Sequence, residues 1–232
     1  MFPIQDNVPS RSVPWVTWTL IALNALVFLQ EVALPAAQLE RLVQLLALVP
    51  AELLADPWRH WPTLITSMFL HGGWLHILGN MWTLYLFGDN VEDRMGPARY
   101  LIFYLLCGVA AGLTHVLSMP ASTTPTLGAS GAVAGVLGAY LLLYPGARIV
   151  TLILIVFFPI FVELPALVFI GIWFLTQLYS GTLALLLPAE SFGGVAWWAH
   201  VGGFVMGMLL LPLCKKPQQR YRRRYPDEYW PW

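Results

Sequence analysis

The chain has 232 residues, of which 58% are hydrophobic and only 10% charged, against roughly a quarter charged in ordinary soluble domains. Its twelve basic and twelve acidic residues cancel, so no bulk basic character points to nucleic acid. Several apolar runs approach the ~20 residues a bilayer-spanning helix needs, and the chain reads as one all-α, polytopic membrane domain with short ends.

Met1 to Val13, with Pro3, Pro9 and Arg11, reads as a short polar tail. Trp15 to about Val32 is the first span, anchored at the interface by Trp15 and Trp18. It lacks a small-residue cleavage site and is long enough to cross, which favours a retained helix over a signal peptide. Ala33 to Leu70 is a long connection in which Ala36–Leu46 places Leu39, Leu42, Val43 and Leu46 on one helical face, suiting a helix that lies at the interface. The aromatic-basic cluster Trp58-Arg59-His60-Trp61 belongs at headgroup level. The second span covers about Leu75 to Val91 and is unusually polar at its start; Gly88 to Ala98 reads as a charged turn. Arg99 to Leu117 is the third span, and the Ser/Thr/Pro-rich segment Ser118 to Thr126 is a loop. Gly128 to Tyr144, Pro165 to Leu187 and Val195 to Leu213 follow as the fourth, fifth and sixth, with Pro188 to Gly194 a loop and a basic tail from Lys215. The two cysteines, Cys107 and Cys214, have no metal-ligand spacing and suggest neither metal nor disulfide. No cofactor is implied.

Ile149 to Val162 is apolar, broken by Pro159 and too short to span. Charge resolves the parity. The basic tail and the turn at Arg148 both belong inside, so an odd number of crossings separates them; one crossing leaves Ile149–Val162 re-entrant or interfacial. Six spans result, with both termini cytoplasmic. Of the twelve Lys and Arg, only Arg41 and Arg59 then fall outside.

Ser130 lies fifteen residues before Pro145, and His200 fifteen before Lys215. Both therefore stand at about 22 Å above the cytoplasmic surface of a core about 30 Å thick. His76 and Asn80 share a helical face, with His76 near the same height and His71 just outside in a Gly-rich turn. Each polar residue alone is readily explained as glue between helices, and the Gly-Ala-Ser-Gly stretch as a packing surface. Four polar groups at one level are less comfortable as glue, because ionisable side chains in a bilayer are costly. Serine needs a base to act as a nucleophile and imidazole is suited to that. With no carboxylate at this level, the arrangement would be a Ser–His dyad. Asn80, His76 and the Ser130 N–H could supply donors to an oxyanion. Gly202, Gly203 and Gly207 match Gly131, Gly135 and Gly138 as small faces that bring the fourth and sixth helices together.

These residues resemble the rhomboid intramembrane serine proteases. The pattern His71, His76, Asn80 is similar to that family's, as are Gly128-Ala129-Ser130-Gly131 and Ala199-His200 followed by Gly203, Phe204 and Gly207. Trp58-Arg59 and Asn90-Val91-Glu92-Asp93-Arg94-Met95-Gly96 add to the likeness. The resemblance implies Ser130 as nucleophile, His200 as base, and His76, Asn80, Gly128 and the Ser130 N–H at the oxyanion and substrate. His71, Gly131, Gly203, Trp58 and Arg59 are implied in support. It implies cleavage of single-span membrane proteins near the outer face, after a small residue, with Trp173 and Phe174 as gate residues. A compact six-span member in a prokaryotic inner membrane is expected. One position departs: Ala134 stands where some members carry an aromatic that stacks on the catalytic imidazole. A non-catalytic relative that escorts membrane helices is the alternative; a transporter would predict internal repeats and a mid-membrane site, and neither is present.

Overall fold

The computed structural model describes residues 1–155, 157–186 and 195–216. The expected loop Pro188–Gly194 and the tail arginines Arg220, Arg222, Arg223 and Arg224 lie outside the described residues. Helix α1 is Trp15–Ala33 and α2 is Ala36–Leu46, the amphipathic segment expected at the interface. Three short turns follow, α3 (Pro50–Ala55), α4 (Pro57–His60) and α5 (Thr63–Thr66). The long helices α6 (Trp74–Met95), α7 (Pro97–Ser118), α8 (Ser130–Leu143), α9 (Ala166–Leu186) and α10 (Trp197–Cys214) complete an α-helical bundle.

Helix α8 is the centre. Gly131 to Tyr140 are all buried, which is what a helix apolar on every side requires. It packs against α6, α7, α9 and α10. At fourteen residues α8 is shorter than the other long helices. By length and composition α1, α7, α9 and α10 could cross a membrane.

Glycines set the closest approach. A Cβ on Gly203 would collide with the Gly131 carbonyl, and one on Gly207 with that of Gly135. The expected match of small faces on α8 and α10 is present at these positions, whereas Gly202 faces Thr114 of α7 instead.

The charged stretch expected as a turn is the last part of α6, which runs on to Met95 and turns only at Gly96, whose φ is +80°. Its charges are absorbed by partners. The Glu92 carboxylate accepts from the backbone N–H groups of Val16 (3.0 Å) and Thr17 (2.8 Å) and from the Thr17 hydroxyl (2.8 Å). It thereby caps the free donors at the start of α1. Glu92→Ala is expected to lower stability by about 2 kcal/mol, seen as earlier thermal unfolding in detergent, with Glu92→Gln milder.

A small antiparallel sheet lies among the helices, in the order β1 (Phe2–Asp6), β2 (Arg148–Ile155), β3 (Phe158–Pro165). Ile149–Val162, read from the sequence as re-entrant or interfacial, forms most of a β-hairpin that connects α8 to α9. Phe2–Asp6, expected to be loose tail, pairs with Ile149–Leu152. Its docking has specific partners: the Trp82 indole N–H donates to the Pro3 carbonyl (2.6 Å), and Asp6 accepts from the Tyr140 hydroxyl and from the Asn90 amide. Burial pushes the Asp6 carboxyl above its ordinary range, the Tyr140 contact opposing it.

Candidate active site

Three helices begin at one end of the bundle and each carries a polar side chain in its first turns. Ser130 is the first residue of α8, His200 the fourth of α10, and His76 and Asn80 lie near the start of α6. The loop before α8 turns at Gly128, whose φ of +124° favours glycine. A Cβ there would also stand 2.6 Å from the His76 ring. The Gly128 N–H is tied to the Ser67 carbonyl at 2.9 Å.

Ser130 Oγ and His200 Nε2 are 2.8 Å apart. On the other side of the ring, Nδ1 lies 2.8 Å from Gln177 Oε1. Gln177 sits in α9, 5% exposed, and its amide nitrogen donates to the Trp173 carbonyl (3.1 Å) and the Thr176 hydroxyl (3.0 Å). Those donations fix the amide oxygen toward His200. An amide oxygen only accepts, so Nδ1 carries the proton and Nε2 keeps a lone pair for the serine hydroxyl. Trp173 lies tilted against the imidazole at 6.1 Å between centroids, and Trp197 meets it edge-on at 6.2 Å. Support that an aromatic at Ala134 would give is thus supplied from α9 and α10. Phe174 stacks on Phe204 at 4.3 Å, one residue removed from the His200 contact.

The pair lines a cavity of about 990 Å³ that also takes in His76, Asn80, Gly128 and Gly131. The amide nitrogen of Asn80 is buried without a hydrogen-bond partner. The Gly72 N–H donates to His76 Nδ1 (3.4 Å), which puts the imidazole proton of His76 on Nε2, the atom facing Gly128. Both residues therefore present N–H groups beside Gly128, two residues before Ser130. Small residues, including Gly108, Ala111, Gly112 and Ala132, line the cavity beside them.

The remaining expected residues are placed differently. His71 stands behind His76, ring to ring at 5.1 Å, with its backbone N–H on the buried Glu31 carboxylate at 3.2 Å. Gly203 acts through the contact of α10 with α8. Trp58 and Arg59 do not line the cavity; Trp58 is 90% exposed and the Arg59 N–H donates to Asp56 (3.3 Å). Among the described residues no group of three His, Cys, Asp or Glu could hold a metal ion.

Gln177 was not anticipated. An amide within the otherwise largely apolar α9 was the available signal, but its partner is on another helix. If Ser130 and His200 act as the dyad that the resemblance implies, Gln177→Met is expected to lower kcat about 10-fold, from the loss of one orienting hydrogen bond, with KM little changed. Steady-state cleavage kinetics would check this.

A model of the Rhomboid domain matches residues 57–217. Rhomboid protein 1, mitochondrial, of Saccharomyces cerevisiae is 30% identical over 70% of this chain and 44% of its own length. Rhomboid-like protein 11, chloroplastic, of Arabidopsis thaliana is 28% identical over 67% of this chain and 53% of its own. Rhomboid protease GluP of Bacillus subtilis is 34% identical over 55% of this chain and 24% of its own. The chain thus spans about half or less of these relatives, which come from organelles as well as from a bacterium. With its helical bundle and several membrane-length apolar helices, the chain belongs to the rhomboid family.

Proposed function

We propose that the protein is an intramembrane serine endopeptidase that cuts single-span membrane proteins in or beside their transmembrane helix. The observation that carries this is the 2.8 Å contact of Ser130 Oγ with His200 Nε2 within a cavity that bears an unpaired donor, the Asn80 amide. Ser130 Oγ attacks the scissile carbonyl carbon while its proton passes to His200 Nε2. The N–H groups of Asn80, His76 and Ser130 take up the charge on the tetrahedral oxygen. The C–N bond then breaks as His200 returns the proton to the leaving amine. Water, deprotonated by the same nitrogen, releases the acyl group from Ser130. Gln177 holds the imidazole in the tautomer both half-reactions need.

Helices α6 and α8 complete a six-span reading with α1, α7, α9 and α10. Arg94, Arg99, Arg148, Lys215 and Lys216 cluster at helix ends away from Ser130, which favours cytoplasmic termini and a site toward the outer face, as in a prokaryotic inner membrane. The test is cleavage of a single-span substrate in proteoliposomes, with the cut mapped by fragment mass. Cleavage within the outer part of the substrate helix is expected. A chain that binds such helices and cuts none would instead be a non-catalytic escort.

A further inference from the structure

The β2–β3 hairpin is apolar over almost its whole length. Between the Arg148–Glu163 ion pair (3.3 Å) at its base and the turn, Thr151 is the one polar residue, and it is buried. Towards the turn, Leu154, Ile155, Phe157, Phe158, Ile160 and Phe161 are all exposed, Phe157 by 89%. Leu154 and Ile155 are consecutive on one strand, as are Ile160 and Phe161 on the other, so both faces of the ribbon are bare. A protein partner or a second copy would cover one face; side chains on both faces call for a surrounding apolar medium.

Strand β1 pairs only as far as Leu152, leaving the tip a two-stranded ribbon, which is marginal in water and prone to aggregate along its open edge. The tip is also continuous with the membrane-facing bundle. β3 runs directly into α9, the Ala166 N–H donates to the Ala147 carbonyl (2.7 Å), and α9 goes on exposing Leu167, Val168, Ile172 and Leu175. Seven residues of strand reach about 23 Å from the charged base, farther than the headgroup layer is thick.

We propose that the hairpin tip is a membrane-insertion element that buries Leu154, Ile155, Phe157, Phe158, Ile160 and Phe161 at the headgroup–acyl boundary of the leaflet where α8 ends and α9 begins. Open strand edges cannot sit in dry hydrocarbon, which limits the depth. Pro159 reduces the cost at the edge strand by having no N–H to leave unpaired. Insertion rests on the membrane-embedded bundle and not on proteolysis, and Ser130→Ala protein would show it equally.

The test is nitroxide labelling at Phe157→Cys, and separately at Phe161→Cys, in a Cys214→Ser background where the fully buried Cys107 stays unlabelled. The protein is reconstituted in vesicles of phosphatidylcholine and phosphatidylglycerol, with Arg148→Cys as the headgroup control. Power saturation should show both tip labels more accessible to oxygen than to a water-soluble nickel chelate, with the reverse at position 148. Nickel accessibility at the tip equal to that at position 148 would overturn the proposal. So would dipolar broadening between tip labels with both reagents excluded, since a second copy would then cover the tip.

Discussion

Ser130→Ala and His200→Ala are each expected to lower turnover of a single-span substrate by about four orders of magnitude or more, and the double variant to lose little beyond either alone. The reason is geometric. In the proposed mechanism one proton moves along one 2.8 Å contact, so removing either end removes the same step. Neither substitution should disturb the fold: Ser130→Ala deletes one oxygen at a helix start, and α10 is held to α8 by its glycines rather than by the imidazole. Folding by circular dichroism with cleavage rates in proteoliposomes separates the two effects. Rates that multiply in the double variant would mean that the residues act independently.

Asn80→Ala is expected to lower kcat by about 10²- to 10³-fold with KM nearly constant, the loss typical of one oxyanion donor. The Asn80 side-chain nitrogen is buried in the cavity wall with no partner in the resting protein, an arrangement that costs folding energy and is accounted for by a later state that uses the donor. Asn80→Asp should fail equally, because an ionised carboxylate donates nothing and repels the developing charge. An increase in KM with kcat unchanged would assign Asn80 to ground-state binding instead.

Much of this was legible in the sequence. Helices α1, α2, α7, α8 and α10 begin and end, and α9 begins, within two residues of the expected bounds, because apolar runs stop at Pro, Gly or charge. The level shared by Ser130, His200 and His76 followed from counting residues at a fixed rise per residue. What escaped depends on partners distant in the chain. Glu92 lengthens α6 because its charge is satisfied by α1, 75 residues away. Phe2–Asp6 becomes a strand only by pairing with β2, and an apolar run such as Ile149–Val162 has no alternation to distinguish strand from buried helix. Gln177 stood out as an amide in an apolar helix, but its role exists only where α9 meets α10.

The most direct measurement is the intact mass of the protein in proteoliposomes after reaction with a fluorophosphonate. If His200 activates Ser130, one phosphonyl adduct forms, maps to the peptide containing Ser130, and forms at least about 10²-fold more slowly in His200→Ala, the general-base contribution. An adduct on another residue, or undiminished labelling of Ser130 without His200, would contradict the dyad.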